Sequence, residues 1–97
     1  MDERRLKGIL GLSVRAGQAV FGEEGCRKSI QSGQCGILLA DGGMSENSRK
    51  RYEELCERCG VRIAVLPEGL LAEATGKPGA AMAVKDGSFA EQMIRCL

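Results

Sequence analysis

Two cations stand one helical turn beyond a glycine in the run Phe21-Gly22-Glu23-Glu24-Gly25-Cys26-Arg27-Lys28. The apolar triplet Ala19-Val20-Phe21 reads as a short strand, and the residues after Gly22 have helical spacing. A strand that ends on glycine and opens directly into a helix leaves backbone N–H donors unpaired, at the positive end of the helix dipole. Such a corner favours a phosphate or another anion, and Arg27 and Lys28 are placed to hold the same ligand. A plainer reading stands beside this one. Glu23 and Glu24 are favourable first-turn acids, and glycine is common in strand-to-helix turns.

Other chemistry is missing. The chain has no histidine, so the commonest general acid–base group and any Ser-His or Cys-His pair are absent. Neither the Gly-Lys-Ser/Thr phosphate loop nor the three-glycine dinucleotide fingerprint occurs. Glu53 and Glu54, flanked by Arg51 and Arg58, read as a solvated helix face. Cys56-x-x-Cys59 is half of a zinc site with no second pair, and it closes a helix rather than opening one. Both cysteines are expected in the core as small apolar residues, with a thiol redox role as the competing reading. Three aromatic residues, Phe21, Tyr52 and Phe89, are too few for a base-stacking platform, and Tyr52 is expected to join a helix to the sheet. No cofactor, no metal and no catalytic activity are expected.

The 97 residues suffice for one domain, residues 1–97, and 43% hydrophobic with 28% charged content is that of a soluble globular protein. The formal net charge is +1, so any polyanion must be met by a local patch. The five cysteines (26, 35, 56, 59 and 96) are odd in number, and no apolar run reaches the length of a signal core or a membrane span. A reducing, cytoplasmic setting without a disulfide framework is expected.

The elements that must position Gly22 follow from the apolar periods. Residues 3–15 form a helix with Leu6, Ile9, Leu10 and Val14 inward, and Gly17 ends it. A strand at 18–21 and a helix at 23–32 follow. Residues 36–40 are continuously apolar, as in a strand covered on both faces. Asp41-Gly42-Gly43 is a turn. Ser45 or Asn47 caps a helix that runs to Cys59, with Ser48, Tyr52, Leu55, Cys56 and Cys59 inward. A strand at 61–66, a short helix from Pro67 to about Thr75, a loop at 76–79 and a strand at 80–84 come next. Ser88 and Glu91 have capping-box spacing for a last helix carrying Phe89, Met93, Ile94 and Leu97. This alternation predicts an α/β fold, a three-layer α/β/α sandwich with a four-stranded mixed sheet and about five helices.

Taken together, these segments resemble the kink-turn RNA-binding ribosomal proteins, the superfamily of archaeal L-seven-Ae and eukaryotic L-thirty-e, and within it the small bacterial YlxQ-type branch. The likeness covers nearly the whole chain. It is carried by Leu10-Gly11-Leu12-Ser13-Val14-Arg15-Ala16-Gly17 with Val20-Phe21-Gly22, by Gly22-Glu23-Glu24 with Lys28, by Ile37-Leu38-Leu39-Ala40-Asp41 and Ser45-Glu46-Asn47, and by Leu71-Ala72-Glu73-Ala74-Thr75-Gly76-Lys77. The resemblance implies an α/β/α sandwich that binds structured RNA at the start of its second helix, beside sheared G·A pairs. It implies close backbone approach at Gly22, a phosphate or guanine contact from Lys28, and a loop at 76–79, with Lys77 and Pro78, over an extruded nucleotide. The superfamily pattern Gly-x-Asn-Glu-x-x-Lys is altered here, with Glu24 at the Asn position and Gly25 at the Glu position. An ionised Glu24 donates no hydrogen bond, and Gly25 has no side chain to accept one. The full expected interface is Arg15, Gly17, Gly22, Glu24, Gly25, Arg27, Lys28, Lys77 and Pro78, supported by loops at 15–18, 41–45 and 76–79. The expected partner is a kink-turn, ribosomal or regulatory RNA, with the ribosome or translation-related proteins nearby and the chain itself a monomer. A protein-interaction module on the same fold is the alternative.

Overall fold

The computed structural model describes residues 1–97. Nine elements follow one another: α1 (Glu3–Arg15), β1 (Ala19–Phe21), α2 (Glu23–Gln31), β2 (Cys35–Asp41), α3 (Glu46–Cys59), β3 (Arg62–Leu66), α4 (Leu70–Thr75), β4 (Ala81–Lys85) and α5 (Ser88–Cys96). The strands form one sheet in the order β1-β4-β2-β3. Strands β2 and β3 are parallel and joined through α3, while β4 runs antiparallel to both β1 and β2. The sheet is therefore mixed, with five helices around it, as the sequence pattern predicts.

Side chains alternate across the sheet, so the apolar run of β2 feeds two cores. Ile37 and Leu39, with Met82 and Val84 of β4, face α1, α4 and α5 through Leu6, Leu10, Leu71 and Met93. Leu38 and Ala83 point the other way, toward α2 and α3 through Cys26, Ile30, Tyr52, Leu55 and Cys56. Both faces of β2 are covered, which explains why its residues 37–40 are all fully buried or nearly so. No helix is long and apolar enough to cross a membrane.

Three local expectations are corrected. Pro67 does not open α4: Pro67-Glu68-Gly69 makes a turn, with Leu70 N–H donating to Pro67 O, and the helix begins after Gly69 in a left-handed conformation. The turn passes close to Gly42, where a Cβ would meet Leu66 O at 2.7 Å and Glu68 N at 3.1 Å. The capping box of α5 does not form. Gly87 stands at the N-cap, Glu91 N–H donates to Gly87 O, and the Ser88 hydroxyl accepts from Gln92 Nε2 instead. Here a tight turn is clamped over Gly36, where any Cβ would meet Ala90 Cβ at 2.7 Å and Asp86 Cα at 2.8 Å. Finally, Cys56 is buried but Cys59 is exposed. A Schellman motif accounts for the difference: Val61 N–H donates to Cys56 O (2.9 Å) and Gly60 N–H to Glu57 O (3.4 Å). Val61, returning past the Gly60 turn, packs on the core beside Cys56 and takes the place predicted for Cys59.

Candidate functional site

Gly22 is the N-cap of α2 and has φ 86 and ψ 151, a backbone region that essentially only glycine occupies. A Cβ built there meets no atom within 4 Å, so the backbone corner is open rather than plugged. With no side chain, Gly22 also offers the first-turn N–H groups of α2 no capping acceptor. Register then decides what surrounds it. Phe21 pairs with Met82 and Ala40 with Ala81, so the end of β1, the end of β2 and the start of β4 lie together. The segments 22–23, 43–45 and 78–81 converge there on an open groove of about 420 Å³, with Ser48 and Tyr52 of α3 on its far wall.

The 41–45 loop is held by a single carboxylate. Asp41 Oδ2 accepts from Gly43 N–H and Oδ1 from Gly69 N–H, both at 2.8 Å. Asp41 thus ties the groove loop to the start of α4. Gly42 is required beside it, because a Cβ there would meet the backbone oxygen of Leu66 at 2.7 Å, whereas at Gly43 a Cβ would meet the movable end of Glu68 at 2.8 Å. Ser45 completes the loop by capping α3, accepting from Ser48 N–H at 3.3 Å.

The two cations on α2 are not free. Arg27 Nη2 lies 3.2 Å from Glu23 Oε1 and Lys28 Nζ 3.3 Å from Glu24 Oε1, each an i,i+4 pair open to solvent. Exposed pairs of this kind are worth roughly 0–1 kcal/mol, so an arriving phosphate can displace the carboxylate at small cost. Gly25 has a packing role. A Cβ there would lie 2.7 Å from Val20 Cγ1, so the side of α2 next to the sheet demands glycine.

The expected residues divide by position. Gly22 and Pro78 line the groove, and Glu23 joins them. Lys77 precedes Pro78 in the same loop, exposed, with its N–H donating to Thr75 Oγ1. Arg15 and Gly17 do not join this cluster. They lead into the opposite end of β1, where Lys85 N–H donates to Gln18 O, at the far end of β4 from Ala81. The length of β1 separates the 15–18 loop from the groove. Sequence reasoning in turn missed Tyr52 and Ser48 as groove residues and Asp41 as the loop's anchor. The spacing of Ser45, Ser48 and Tyr52, near one face of α3, held that signal.

Three of the buried thiols are held in their protonated form. Burial pushes Cys26 and Cys56 up to about 11 and raises Cys35. Burial likewise pushes the Tyr52 hydroxyl up to about 12; Cys26 and Glu23 add to that rise, and Arg27 and Arg51 oppose it. Tyr52 is accordingly a protonated hydrogen-bond donor at neutral pH. No three His, Cys, Asp or Glu side chains converge as a metal-holding group.

Comparison with known proteins agrees with the resemblance in the sequence. No family profile matches the chain. It is 24% identical to the RNA-binding protein YlxQ of Enterococcus faecium over 92 residues, covering 94% of this chain and 89% of that one. Among solved structures it is similar to a Bacillus halodurans protein of unknown function, with a TM-score of 0.89, 26% identity and 95% of each chain covered. A Giardia lamblia 15.5kD RNA binding protein shares the fold at 11% identity, with a TM-score of 0.76 over 96% of this chain and 82% of that one. The first of these matches bears out the likeness to YlxQ-type proteins, and the last shows a shared fold.

Proposed function

We propose that this chain, a YlxQ-type protein of the L-seven-Ae and L-thirty-e superfamily, is a non-catalytic RNA-binding protein that holds a sharply bent, structured RNA in the groove at Gly22. The observation that carries the reading is the open backbone corner of Gly22 at the head of α2. It occurs in a chain similar along nearly its whole length to an RNA-binding protein.

In this reading a phosphate approaches the Gly22 backbone and the first-turn N–H groups of α2. Arg27 and Lys28 leave Glu23 and Glu24 and turn to the RNA backbone. Loop 76–79 covers the other side, with Lys77 as a further cation and Pro78 against a displaced nucleotide. Glu24 and Gly25 cannot supply the amide and carboxylate side chains of the superfamily pattern. Recognition then rests on shape and backbone more than on base edges, which is the usual mode for folded RNA. The target in this reading is a kink-turn in ribosomal or regulatory RNA, on the strength of the resemblance in the sequence. The protein works as a cytoplasmic monomer, next to the ribosome or translation-related proteins.

The test is ultraviolet crosslinking in cells, followed by sequencing of the RNA and mapping of the crosslinked peptides. The expected result is a small set of structured RNAs joined to residues 22–28, 43–45 and 77–80. A preparation that enriches no RNA, yet keeps one defined protein partner after nuclease treatment, would replace this reading with a protein-interaction module.

A further inference from the structure

The floor between α2 and α3 carries a second groove, of about 220 Å³, that runs on from the first: Glu23, Ser48 and Tyr52 line both. We infer that this α2–α3 groove is a track for the phosphate backbone of the helical stem that flanks the bend, gripped by Arg51, Arg58 and Arg27. The inference rests on the RNA-binding reading and extends it to a surface distinct from Gly22.

Charge pairing along α3 sets this groove apart. Arg49 and Lys50, outside it, are neutralised on their own helix by Glu53 at 3.4 Å and Glu46 at 3.4 Å. Arg51 and Arg58, which line the groove, have no carboxylate within ion-pair distance. Arg51 Nη2 instead donates to Ser48 Oγ at 3.4 Å. Glu54 lies in the groove without closing onto either guanidinium, and Arg27 faces them from α2 with Glu23 as its exchangeable partner. The buried seam between α2 and α3 is apolar, through Ile30, Tyr52, Leu55 and Cys56; the open groove above it carries three guanidinium groups.

The spacing suits a nucleic-acid strand. Arg51 and Arg58 are seven residues apart, two turns of α3 and about 10 Å along its axis. That length is comparable with the separation of near-neighbour phosphates along one strand of a duplex. Guanidinium groups match phosphate oxygens as planar forks, and the protonated Tyr52 hydroxyl is a further donor where the two grooves meet. An acidic protein segment would answer the same cations. Continuity with the Gly22 groove favours RNA, since a stem leaving that bend enters the α2–α3 floor directly.

The experiment uses a kink-turn RNA in two lengths, one cut close to the bend and one with the flanking stem extended by a helical turn. The native chain is expected to bind the long form about tenfold more tightly. Arg51→Glu with Arg58→Glu should abolish that gain and lower the salt slope by about 1.5, leaving the short RNA bound as before. Arg51→Lys with Arg58→Lys should keep the slope and controls for folding. Equal affinity of the native chain for both lengths, or a charge-reversed variant that keeps the full gain, overturns the track while the Gly22 reading stands. Failure of the native chain to bind either RNA overturns both.

Discussion

Arg27 Nη2 and Glu23 Oε1 stand 3.2 Å apart, one turn from each other on α2, and both side chains line the α2–α3 groove. Lys28 and Glu24 repeat the arrangement at 3.3 Å. The carboxylates occupy the cations as a phosphate would, and they also repel an incoming polyanion. Both effects oppose binding. Glu23→Gln with Glu24→Gln should therefore tighten binding to structured RNA several-fold at low salt, with the difference shrinking as salt rises. Fluorescence anisotropy at two ionic strengths reads this, and weaker binding by the amide variant would show that the acids contact the RNA favourably.

Gly25 and Val20 make a second, purely steric relationship. The 2.7 Å approach of a Cβ to Val20 Cγ1 requires the stiff valine or the helix to shift. Overpacking of this sort costs about 1–3 kcal/mol, against a helix-propensity gain from Gly to Ala of about 1 kcal/mol. Gly25→Ala should thus be destabilised by roughly 0–2 kcal/mol in urea, and Val20→Ala in the same chain should recover part of any loss. Additive losses in the double variant would contradict the contact.

Those two residues also show how far the sequence could be read. The alternating apolar periods delivered the layers, because burial on a two-residue or 3.6-residue period leaves a direct mark on composition. Gly22 was legible as an open corner because strand, glycine and helix are contiguous. Gly25 was not legible as a packing residue, since its neighbour Val20 becomes a neighbour only once α2 folds back on β1. The same limit hid the distance of Arg15 and Gly17 from the groove: they are near Gly22 in the chain, and a strand lies between. Cys59 was misread because helical periodicity continues on paper past the point where the Gly60 turn diverts the chain. Tyr52 has two roles, a ring in the second core and an edge on both grooves, and periodicity reports only the first.

Asp41 anchors the groove loop through two backbone N–H groups, Gly43 and Gly69. Asp41→Ala leaves both without this acceptor and should cost roughly 1–3 kcal/mol. Because the same loop lines the Gly22 groove, RNA affinity should fall along with stability, though no contact to RNA is removed. Hydrogen exchange at residues 42–45 should quicken in this variant. Unchanged protection there would remove Asp41 from any positioning role.

Buried thiols make stability sensitive to alkali. Cys26 and Cys56 hold their protons up to about 11 in the folded chain, against an ordinary thiol value of 9.0. Below pH 9 both states carry neutral thiols and the contribution is fully present. Between about 9 and 11 the unfolded chain loses these protons and the folded chain keeps them, so stability falls as pH rises. The loss should be on the order of 2–3 kcal/mol for each thiol. Urea midpoints at pH 8 and pH 10.5 read it, and Cys26→Ala with Cys56→Ala should flatten the difference. A native chain whose midpoint does not move would mean that these thiols are not desolvated.

Placement of RNA at the head of α2 is tested most directly by the binding of a kink-turn RNA as a function of salt, compared between the native chain and Arg27→Glu with Lys28→Glu. The logarithm of the native affinity should fall linearly with the logarithm of salt concentration. The variant should keep its circular dichroism spectrum, bind at least tenfold more weakly and show a slope smaller by about 1.5. Equal affinity and equal slope in the two proteins would contradict the placement of RNA at the head of α2.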